Sequence, residues 1–495
     1  MKMIKCVRAG SGVASKTLEL GGKPALFRSI STSAIVRVDA TLNASASTSR
    51  PGVASCLLRH GPVLRVKPAG LPPQCRQASS DASTSDGGLN HTALHELHVR
   101  NGGKMVPFGG YSMPVQYSDL GVGDSHKWTR EKASLFDVGH MVQHRMSGPG
   151  AAPLLEKITP SSTASLQTDH STLSCLLHPA TGGIVDDTVI TRLGPELFYL
   201  VTNAACKAND MAYLEEQIES RDTSHGTVEW EVLNDWGLVA LQGPLSADIL
   251  QRALVTAGVE DVDLQALYFG QCIHVTLNLS PKQSSNTDTP ILISRGGYTG
   301  EDGFEISIPP ALTVAFTTHL LESGGRERLR LAGLGARDSL RLEAGMCLYG
   351  HDLDDKTTPV EAGLSWIVHK DRRANGGFHG DETILRQLRP VKDGGSAPKH
   401  RRVGLIVEGA PAREGAEITN PASPISAEVV GRVTSGCPSP TLGKNIAMGY
   451  VKTPLHKAGT PIEVLVRGKR RKAEVVKMPF VKSQYWKQAA GTSPG

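Results

Sequence analysis

The stretch GGIVDDTVI, residues 182–190, places two aspartates side by side within an apolar run. Successive side chains of a β-strand point to opposite faces, so Asp187 shares a face with Val185 and Val189 while Asp186 points the other way. A carboxylate flanked by valines is costly to bury unless another group pairs with it. We therefore expect Asp187 to have a chemical role and Asp186 to contribute less.

A second acid and an arginine lie in two further dense stretches. SRGGYTGEDGFEISIP, residues 294–309, has a glycine-rich turn followed by a strand that carries Glu305 on the face opposite Phe304 and Ile306. The glycine spacing fits neither a P-loop nor a dinucleotide fingerprint. In GLGARDSLRLEAGMCLYGHDL, Arg337 lies in the first turn of a predicted helix, where its guanidinium could reach an anionic ligand. From spacing alone, a solvated strand face and ordinary helix-surface charges explain these two residues equally well.

Further elements must position these residues. The sequence predicts a short helix over 91–99, a helix leading into a strand in DSHKWTREKASLFDVGHM, and an amphipathic helix in AACKANDMAYLEEQIESR. Apolar residues four apart predict that the helix carrying Arg337 continues to Gly350. A change to Gly, Pro and charge indicates a domain boundary near 390–400. The short strands beyond it, separated by Gly/Pro turns, favour a small antiparallel barrel or sandwich.

Composition limits the class of protein. A chain of 495 residues with 39% apolar and 20% charged residues is typical of a soluble enzyme of two to four domains, without a run that spans a membrane. Residues 1–80 hold twelve Lys or Arg against two acids, so the net charge of +5 resides there and a nucleic-acid footprint is lacking elsewhere. This Arg- and Ser-rich segment predicts an organellar transit peptide, mitochondrial rather than plastid, with a retained tail as the alternative. The eight cysteines lack zinc spacing and favour buried thiols.

The residue types in these motifs are more specific to one protein family than the spacing between them. Many ordered stretches across residues 88–487 resemble the aminomethyltransferase family, the T-protein of the glycine cleavage system. The stretches that carry the resemblance include KMVPFGGYSMPVQY, SLFDVGHM, GGIVDDTVI, GGYTGEDGFEISIP, GARDSLRLEAGMCLYGHDL, VTSGCPSPTLGKNIAMGYV and KMPFV.

The resemblance implies an α+β fold of three domains in a cloverleaf, with a central folate channel and a C-terminal antiparallel β-barrel. On this basis residues 1–85 are a mitochondrial transit peptide, 88–390 form the folate-binding region of two interleaved α+β domains, and 400–487 form the barrel. The expected location is the mitochondrial matrix.

The resemblance also implies the reaction and its partners. The one-carbon unit passes from the aminomethyl-lipoyl arm of the H-protein to tetrahydrofolate, the co-substrate, giving 5,10-methylenetetrahydrofolate and ammonia. No metal, nucleic acid or membrane insertion is implied. Lipoyl carriers are generally acidic, so the basic runs at 369–377 and 399–402 are candidate docking surfaces. Solvated linker charge is the alternative, and residues 467–472 are the next candidate.

Individual positions follow from the resemblance. The family's essential aspartate falls on Asp187, which would orient the folate amine and balance the positive charge that develops as ammonia leaves, or accept a proton. Glu305 matches the family's pterin contact, since a carboxylate can accept two adjacent N–H groups from a pterin edge. The resemblance assigns the other folate contacts to Arg337, Tyr485, Asn203, Met141 and Tyr298.

Two other functions of the same superfamily stay open at this point. A folate-binding iron–sulfur assembly factor would carry a cysteine in the glycine-rich stretch, where this chain has Gly297. A folate-dependent demethylase would use a small methylated donor, and Asp187 could then serve differently. Ammonia release from aminomethyl-lipoyl H-protein distinguishes the three functions.

Overall fold

The computed structural model describes residues 88–278, 289–423 and 428–488 of the chain. The predicted transit peptide lies outside these ranges. No helix within them is long and apolar enough to cross a membrane. The α-helices of the described ranges are α1 His95–Arg100, α2 Val122–Glu131, α3 Ala151–Ile158, α4 Lys207–Glu219, α5 Ser246–Thr256, α6 Pro310–Gly324, α7 Leu334–Glu343, α8 Lys370–Asn375 and α9 Asp381–Leu388.

The strands form a hairpin, two sheets and a closed barrel. Those of the hairpin and the sheets are β1 Gly103–Phe108, β2 Tyr111–Tyr117, β3 Ala133–Asp137, β4 Val142–Ser147, β5 His170–Leu177, β6 Ile184–Gly194, β7 Leu197–Thr202, β8 Glu229–Val232, β9 Gly237–Gln242, β10 Cys272–Val275, β11 Ile291–Arg295, β12 Gly303–Ile308 and β13 Leu329–Leu331. Those of the barrel are β14 His400–Val407, β15 Glu417–Thr419, β16 Val429–Ser439, β17 Lys444–Lys452, β18 Pro461–Val466 and β19 Lys469–Val476.

The chain passes between the two sheets more than once. The five-stranded sheet has the order β5–β6–β7–β4–β8 and carries the aspartate pair on β6, while the six-stranded sheet has the order β10–β11–β12–β9–β3–β13. Strand β3 precedes the five-stranded sheet in sequence, yet it pairs antiparallel with β9 and parallel with β13. The predicted α+β class is confirmed, because helices and mostly antiparallel sheets occur together.

The main hydrophobic core lies beneath the six-stranded sheet. As the alternation of β12 predicts, Phe304, Ile306 and Ile308 are fully buried there, together with apolar residues of α5 and α6. Glu305 lies on the opposite face and is half-buried. A closely packed strand therefore fixes the backbone of this acid.

Two predicted helix boundaries are wrong. The first helix begins at His95, because a turn in which the His95 amide donates to the Thr92 carbonyl precedes it. The helix that carries Arg337 ends at Glu343 instead of continuing to Gly350. Gly345 has a φ of 69°, and a Cβ there would lie 3.0 Å from Met478, a residue far away in sequence.

The C-terminal strands close into an antiparallel barrel rather than a sandwich. The strand order is β14–β17–β16–β15–β18–β19, and β19 pairs back with β14. Alternate residues, mostly Val, Ile and Ala, fill the interior. This confirms the expected barrel.

A buried ion pair joins α7 to the barrel. Arg341 lies 2.6 Å from Asp352 and donates to the Ser435 hydroxyl at 2.8 Å, and the side chains of the ion pair are 3% and 0% exposed. Arg341 also pairs with Asp338, three residues earlier on α7, at 2.8 Å. Burial opposes ionisation of Asp352, but Arg341 and the donated hydrogen bonds hold the pKa of this carboxyl below its usual value. The wall between α7 and the barrel therefore depends on this charge pair.

Removing the charge of Asp352 should destabilise the protein. Asp352→Asn leaves buried Arg341 with only the half-exposed Asp338 as a counter-charge, and breaking one side of a buried pair costs about 3–5 kcal/mol. The free energy of unfolding from denaturant titration measures this loss. The matched control is Glu417→Gln, which removes the partner of Arg432 at a surface where the side chains are 36% and 63% exposed. Such exposed pairs contribute about 0–1 kcal/mol, so equal losses in the two variants would contradict the role given to Asp352.

Candidate active site

The two aspartates of β6 lie in different environments. Their faces alternate as predicted, but Asp186 is the fully enclosed carboxylate, on the same face as the buried Ile184 and Ile190. Asp187 lies on the half-buried face with Val185. Asp186 therefore has the greater desolvation cost, whereas the sequence placed that cost at Asp187, between two valines.

One amide holds both carboxylates. The side-chain nitrogen of Asn203 donates to Asp186 Oδ1 at 2.8 Å and to Asp187 Oδ1 at 2.9 Å. The backbone N–H of Asn203 donates to the other oxygen of Asp186, also at 2.8 Å. The antiparallel register explains this contact, because Val189 pairs with Val201 and the next positions along each strand on the same face are Asp187 and Asn203. The structure thus brings predicted Asn203 to predicted Asp187.

Electrostatics in this pair oppose ionisation. Burial raises the pKa of Asp187, and the negative charge of Asp186 raises it further. Burial also raises the pKa of Asp186, while the hydrogen bonds from Asn203 lower it. Asp187 is therefore a carboxyl that titrates closer to neutral pH than an ordinary one and can exchange a proton under working conditions.

Three further predicted residues form a chain of neighbours that begins at Asp187. Burial raises the pKa of Tyr298, the charge of Asp187 adds to that rise, and the Tyr298 hydroxyl donates to the backbone carbonyl of Cys347. The Arg337 guanidinium lies 4.8 Å from the centre of the Tyr298 ring. Burial raises the pKa of Glu305, and the positive charge of Arg337 opposes that rise. Asp187, Tyr298, Arg337 and Glu305 thus form one electrostatically linked group.

The glycine-rich turn that carries Tyr298 wraps around the side chain of Gln242. Gln242 donates to the carbonyl of Gly296 at 2.9 Å and accepts from the Thr299 hydroxyl at 2.7 Å. A Cβ at Gly297 would lie 2.0 Å from Gln242 Oε1, which is far below contact distance. Position 297 therefore has no room for a cysteine in this arrangement.

A cavity of about 480 Å³ lies between α7 and the barrel. Tyr298 and Arg337 line it, together with Arg341, His351 and residues 434–436 of β16. Nη1 of Arg337 is buried and has no hydrogen-bond partner among the described residues. Arg337 therefore lines the cavity and also has one buried nitrogen without a partner among the described residues.

The other two predicted folate contacts, Met141 and Tyr485, are not among the described residues that line this cavity. Met141 packs beneath α7 against a buried cluster that includes Ala336 and Leu340, so it supports the helix that carries Arg337. Tyr485 stacks on Phe269, with ring centres 4.2 Å apart, in the segment that follows the barrel. The cavity wall found in the described residues does not include Tyr485.

Sequence reasoning missed three buried groups near the site. Asp186 was discounted, and Asp210 was included in an amphipathic helix without a role. His140, within the SLFDVGHM motif, is 4% exposed, and burial lowers its pKa to about 4, so it is neutral. Its ring lies 5.4 Å from that of Phe108, which lines the cavity. A polar residue seven positions after Asn203, on the inner face of a helix, was the available signal for Asp210.

Comparisons with known proteins agree with this geometry. The family model described as the GCVT N-terminal domain matches residues 94–372, and that of the glycine cleavage T-protein C-terminal barrel domain matches residues 400–482. A probable mitochondrial aminomethyltransferase of Schizosaccharomyces pombe is 49% identical over 83% of this chain and 97% of its own length. The mitochondrial aminomethyltransferase of Mesembryanthemum crystallinum is 47% identical over 81% and 92%, respectively.

A solved structure supports the same relationship. The crystal structure of the glycine cleavage system aminomethyltransferase T from Bartonella henselae is 36% identical, with a TM-score of 0.69, and the match covers 81% of this chain and all of that one. The fold, the one-carbon transferase class and the mitochondrial location expected from the sequence are confirmed by these relatives. The chain belongs to the aminomethyltransferase family, that of the glycine cleavage T-protein.

Proposed function

We propose that this protein takes the aminomethyl group of a lipoyl-bearing H-protein, releases ammonia and delivers the one-carbon unit to tetrahydrofolate. The observation that carries the proposal is the amide of Asn203 clamped between two buried carboxylates, with Asp187 next to the group formed by Tyr298, Arg337 and Glu305. The reaction produces a cationic centre as ammonia leaves, and a fixed carboxylate stabilises such a charge.

The residues of the site fit a folate. Its pterin offers adjacent N–H donors, and the carboxylate of Glu305 accepts no hydrogen bond from the described residues. Arg337, on the wall of the neighbouring cavity, can donate to a carbonyl or carboxylate of the ligand. This cavity of about 480 Å³ lies within the volume range of small-molecule sites, and among the described residues its wall includes Tyr298 and Arg337 but neither Asp187 nor Glu305. When bound, tetrahydrofolate supplies the secondary amines that accept the one-carbon unit.

The residues of the chain then act by position and charge. Glu305 orients the pterin edge through two charge-assisted hydrogen bonds, which fixes the acceptor amines relative to β6. Asn203 holds the Asp187 carboxylate in one direction, so that no reorganisation is needed when positive charge develops. Because burial and Asp186 raise its pKa, Asp187 can also accept the proton that the attacking amine loses.

The alternatives in the same superfamily receive less support. The close approach of Gln242 to Gly297 leaves no space for the cysteine expected of an iron–sulfur assembly factor. A demethylase would take its one-carbon unit from a small methylated molecule and would need no surface that docks a carrier protein. The test is release of ammonia from aminomethyl-lipoyl H-protein with tetrahydrofolate present, compared with demethylation of small methylated amines. Activity with the small amines alone would contradict the proposal.

Asp187→Asn should reduce the rate of aminomethyl transfer by about 10²–10³, because the amide keeps the shape but loses the charge that stabilises the transition state. Single-turnover ammonia release measures the rate. The exposed Asp261→Asn is the matched control and should leave the rate unchanged.

The same variant should be more stable than the wild type at neutral pH. The folded-state pKa of Asp187 is raised, so its contribution to stability falls as pH rises from the ordinary carboxyl range through the folded pKa. Thermal unfolding midpoints at acidic and neutral pH measure the effect. A variant that is both inactive and less stable at neutral pH would assign Asp187 a structural role.

Glu305→Gln should weaken tetrahydrofolate binding more than it slows the bound-state reaction. A charged acceptor of two hydrogen bonds becomes a mixed donor and acceptor, at a cost of about 1.5–3 kcal/mol. Calorimetric titration measures the affinity. Glu231→Gln, on a strand of the other sheet with a 60% exposed side chain, is the control. An unchanged affinity in Glu305→Gln would remove this residue from the folate site.

The basic runs first considered for docking are engaged locally. Arg372 donates to the carbonyls of Glu156 and Gly377, and Arg373 donates to that of Val368. Charge reversal at these arginines would disturb the fold and is not a clean test of docking. Arg402, in the second run, is likewise bonded to backbone carbonyls.

The hairpin between β18 and β19 is the better candidate surface for an acidic carrier. Its Arg467 and Lys469 are exposed, and no carboxylate of the described residues lies within ion-pair distance of either. Strand β19 of this hairpin contacts the segment that precedes a cavity-lining loop: the Glu408 amide donates to the Lys472 carbonyl, and the loop that follows supplies Arg413 to the cavity.

Reversing Arg467 and Lys469 to Glu should raise the apparent KM for H-protein on the order of tenfold at low ionic strength, and salt should reduce the difference. Tetrahydrofolate affinity should stay unchanged. The control reverses Arg252 and Arg326, two exposed arginines of another region. An equal effect of the two double reversals would show that net charge, and not this hairpin, determines the association.

A further inference from the structure

A third carboxyl belongs to the cluster around Asn203. Asp210 lies in the first turn of α4 and is 0% exposed. Neither of its oxygens has a hydrogen-bond donor among the described residues. The nearby Thr202 hydroxyl does not meet hydrogen-bond geometry with Asp210 and is instead bonded to His144 Nε2 at 3.1 Å. A buried carboxylate with no donor is unfavourable, so the protonation state of Asp210 needs an explanation.

The neighbour that can satisfy Asp210 is Asp186. The two carboxyl groups are close enough for each to shift the pKa of the other. Two ionised carboxylates are both acceptors and repel, whereas one proton between them makes a donor and an acceptor. A shared proton would therefore satisfy Asp210 and remove the repulsion.

We propose that Asp210 carries this proton and donates it to Asp186 as an O–H···O hydrogen bond, so that Asp210 is a positioning residue for Asp187. The link runs from Asp210 to Asp186, from Asp186 to the Asn203 amide, and from that amide to Asp187. This inference rests on the proposed function, because it assigns Asp187 to the reaction.

The proton resides on Asp210 rather than on Asp186. Burial raises the pKa of Asp210 well above its usual value, and the negative charge of Asp186 raises it further. Asp186 accepts two hydrogen bonds from Asn203, and these favour its ionised form. A neutral donor at 210 beside an ionised acceptor at 186 leaves every polar atom of Asp186 satisfied.

Loss of the Asp210 donor would change both Asp186 and Asp187. Without Asp210, Asp186 loses a hydrogen bond that lowers its pKa and can take up the proton itself. In a protonated Asp186 one oxygen becomes a hydroxyl, which is a weaker acceptor than a carboxylate oxygen, so Asp186 would hold Asn203 less firmly. The negative charge that raises the pKa of Asp187 would also be lost, and that pKa would fall.

Other titratable groups face the cluster, and a substitution at position 210 leaves them in place. Around Asp210 they are Asp186, Asp187, His144 and Tyr349, and around Asp187 they are Asp186, Asp352, Tyr298, Cys175 and Cys347.

Two variants distinguish the effect of a hydrogen-bond donor at position 210 from the effect of side-chain volume there. Asp210→Asn is neutral and keeps a donor for Asp186, so kcat and its pH profile should match the wild type. Asp210→Val removes the donor at similar size, so kcat should fall on the order of 10–100-fold, the effect of one lost hydrogen bond to a charged group. The acid limb of its kcat profile should move to lower pH, while the KM values for tetrahydrofolate and H-protein stay the same.

Infrared spectroscopy supplies a readout that needs no activity. Above the pH range in which Asp187 titrates, the wild type should show the carbonyl band of a buried protonated carboxyl group, and Asp210→Asn should lack it. Should the valine variant fail to fold, this band and the profile of Asp210→Asn still decide the matter. A wild type without glycine-cleavage activity would refute the proposed function and leave the infrared result standing.

Three results would overturn the inference. One is the absence of the band in the wild type. Another is equal loss of activity in the asparagine and valine variants, which would mean that an ionised Asp210 is required. The third is a folded Asp210→Val whose acid limb does not move, which would mean that Asp210 only fills space.

Discussion

The candidate site depends on one amide that holds two neighbouring carboxylates. Asn203 donates one side-chain hydrogen to each aspartate, and its backbone N–H adds a third hydrogen bond, to Asp186. Burial opposes both charges, so these donors decide whether the pair can ionise at all. The register of β6 and β7 places the amide, and the turn after β7 leads directly into α4, which brings Asp210 to the inner side of the pair. The path of the chain from β7 into α4 therefore also determines which charged groups surround the two aspartates.

A buried ion pair elsewhere shapes the cavity and has no part in the proposed reaction. Arg341 and Asp352 connect α7 to Ser435 of the barrel, and all three side chains are enclosed. The cavity lies along this junction, and Arg337 precedes Arg341 by one helical turn on α7. Because a broken buried pair is expensive, the junction holds α7 in one orientation. Arg337 is thereby held on the wall of the cavity.

Sequence alone predicts what alternation and local motifs control. The opposite faces of β6 and β12, the barrel and the first turn that carries Arg337 all follow from short-range patterns. The remaining features depend on distant residues. Met478 closes the space beside Gly345 where α7 ends, and Tyr485 stacks on Phe269, which is far from it in sequence. The resemblance identified Asp187 but could not show that α4 covers Asp186, since the cover on each strand face is a tertiary property.

The adjacency of the two aspartates has a physical reason. Neighbouring residues of a strand face opposite sides, so a pair can place one carboxylate in the core and present the other to a ligand. The core member, Asp186, is unsuited to chemistry because it is enclosed, but it is well suited to fix Asn203. The half-buried member, Asp187, gains a fixed direction from the same amide and a raised pKa from burial and from the neighbouring charge. Separating the residues by one position would put both on the same face, and either the anchor or the reactive group would be lost.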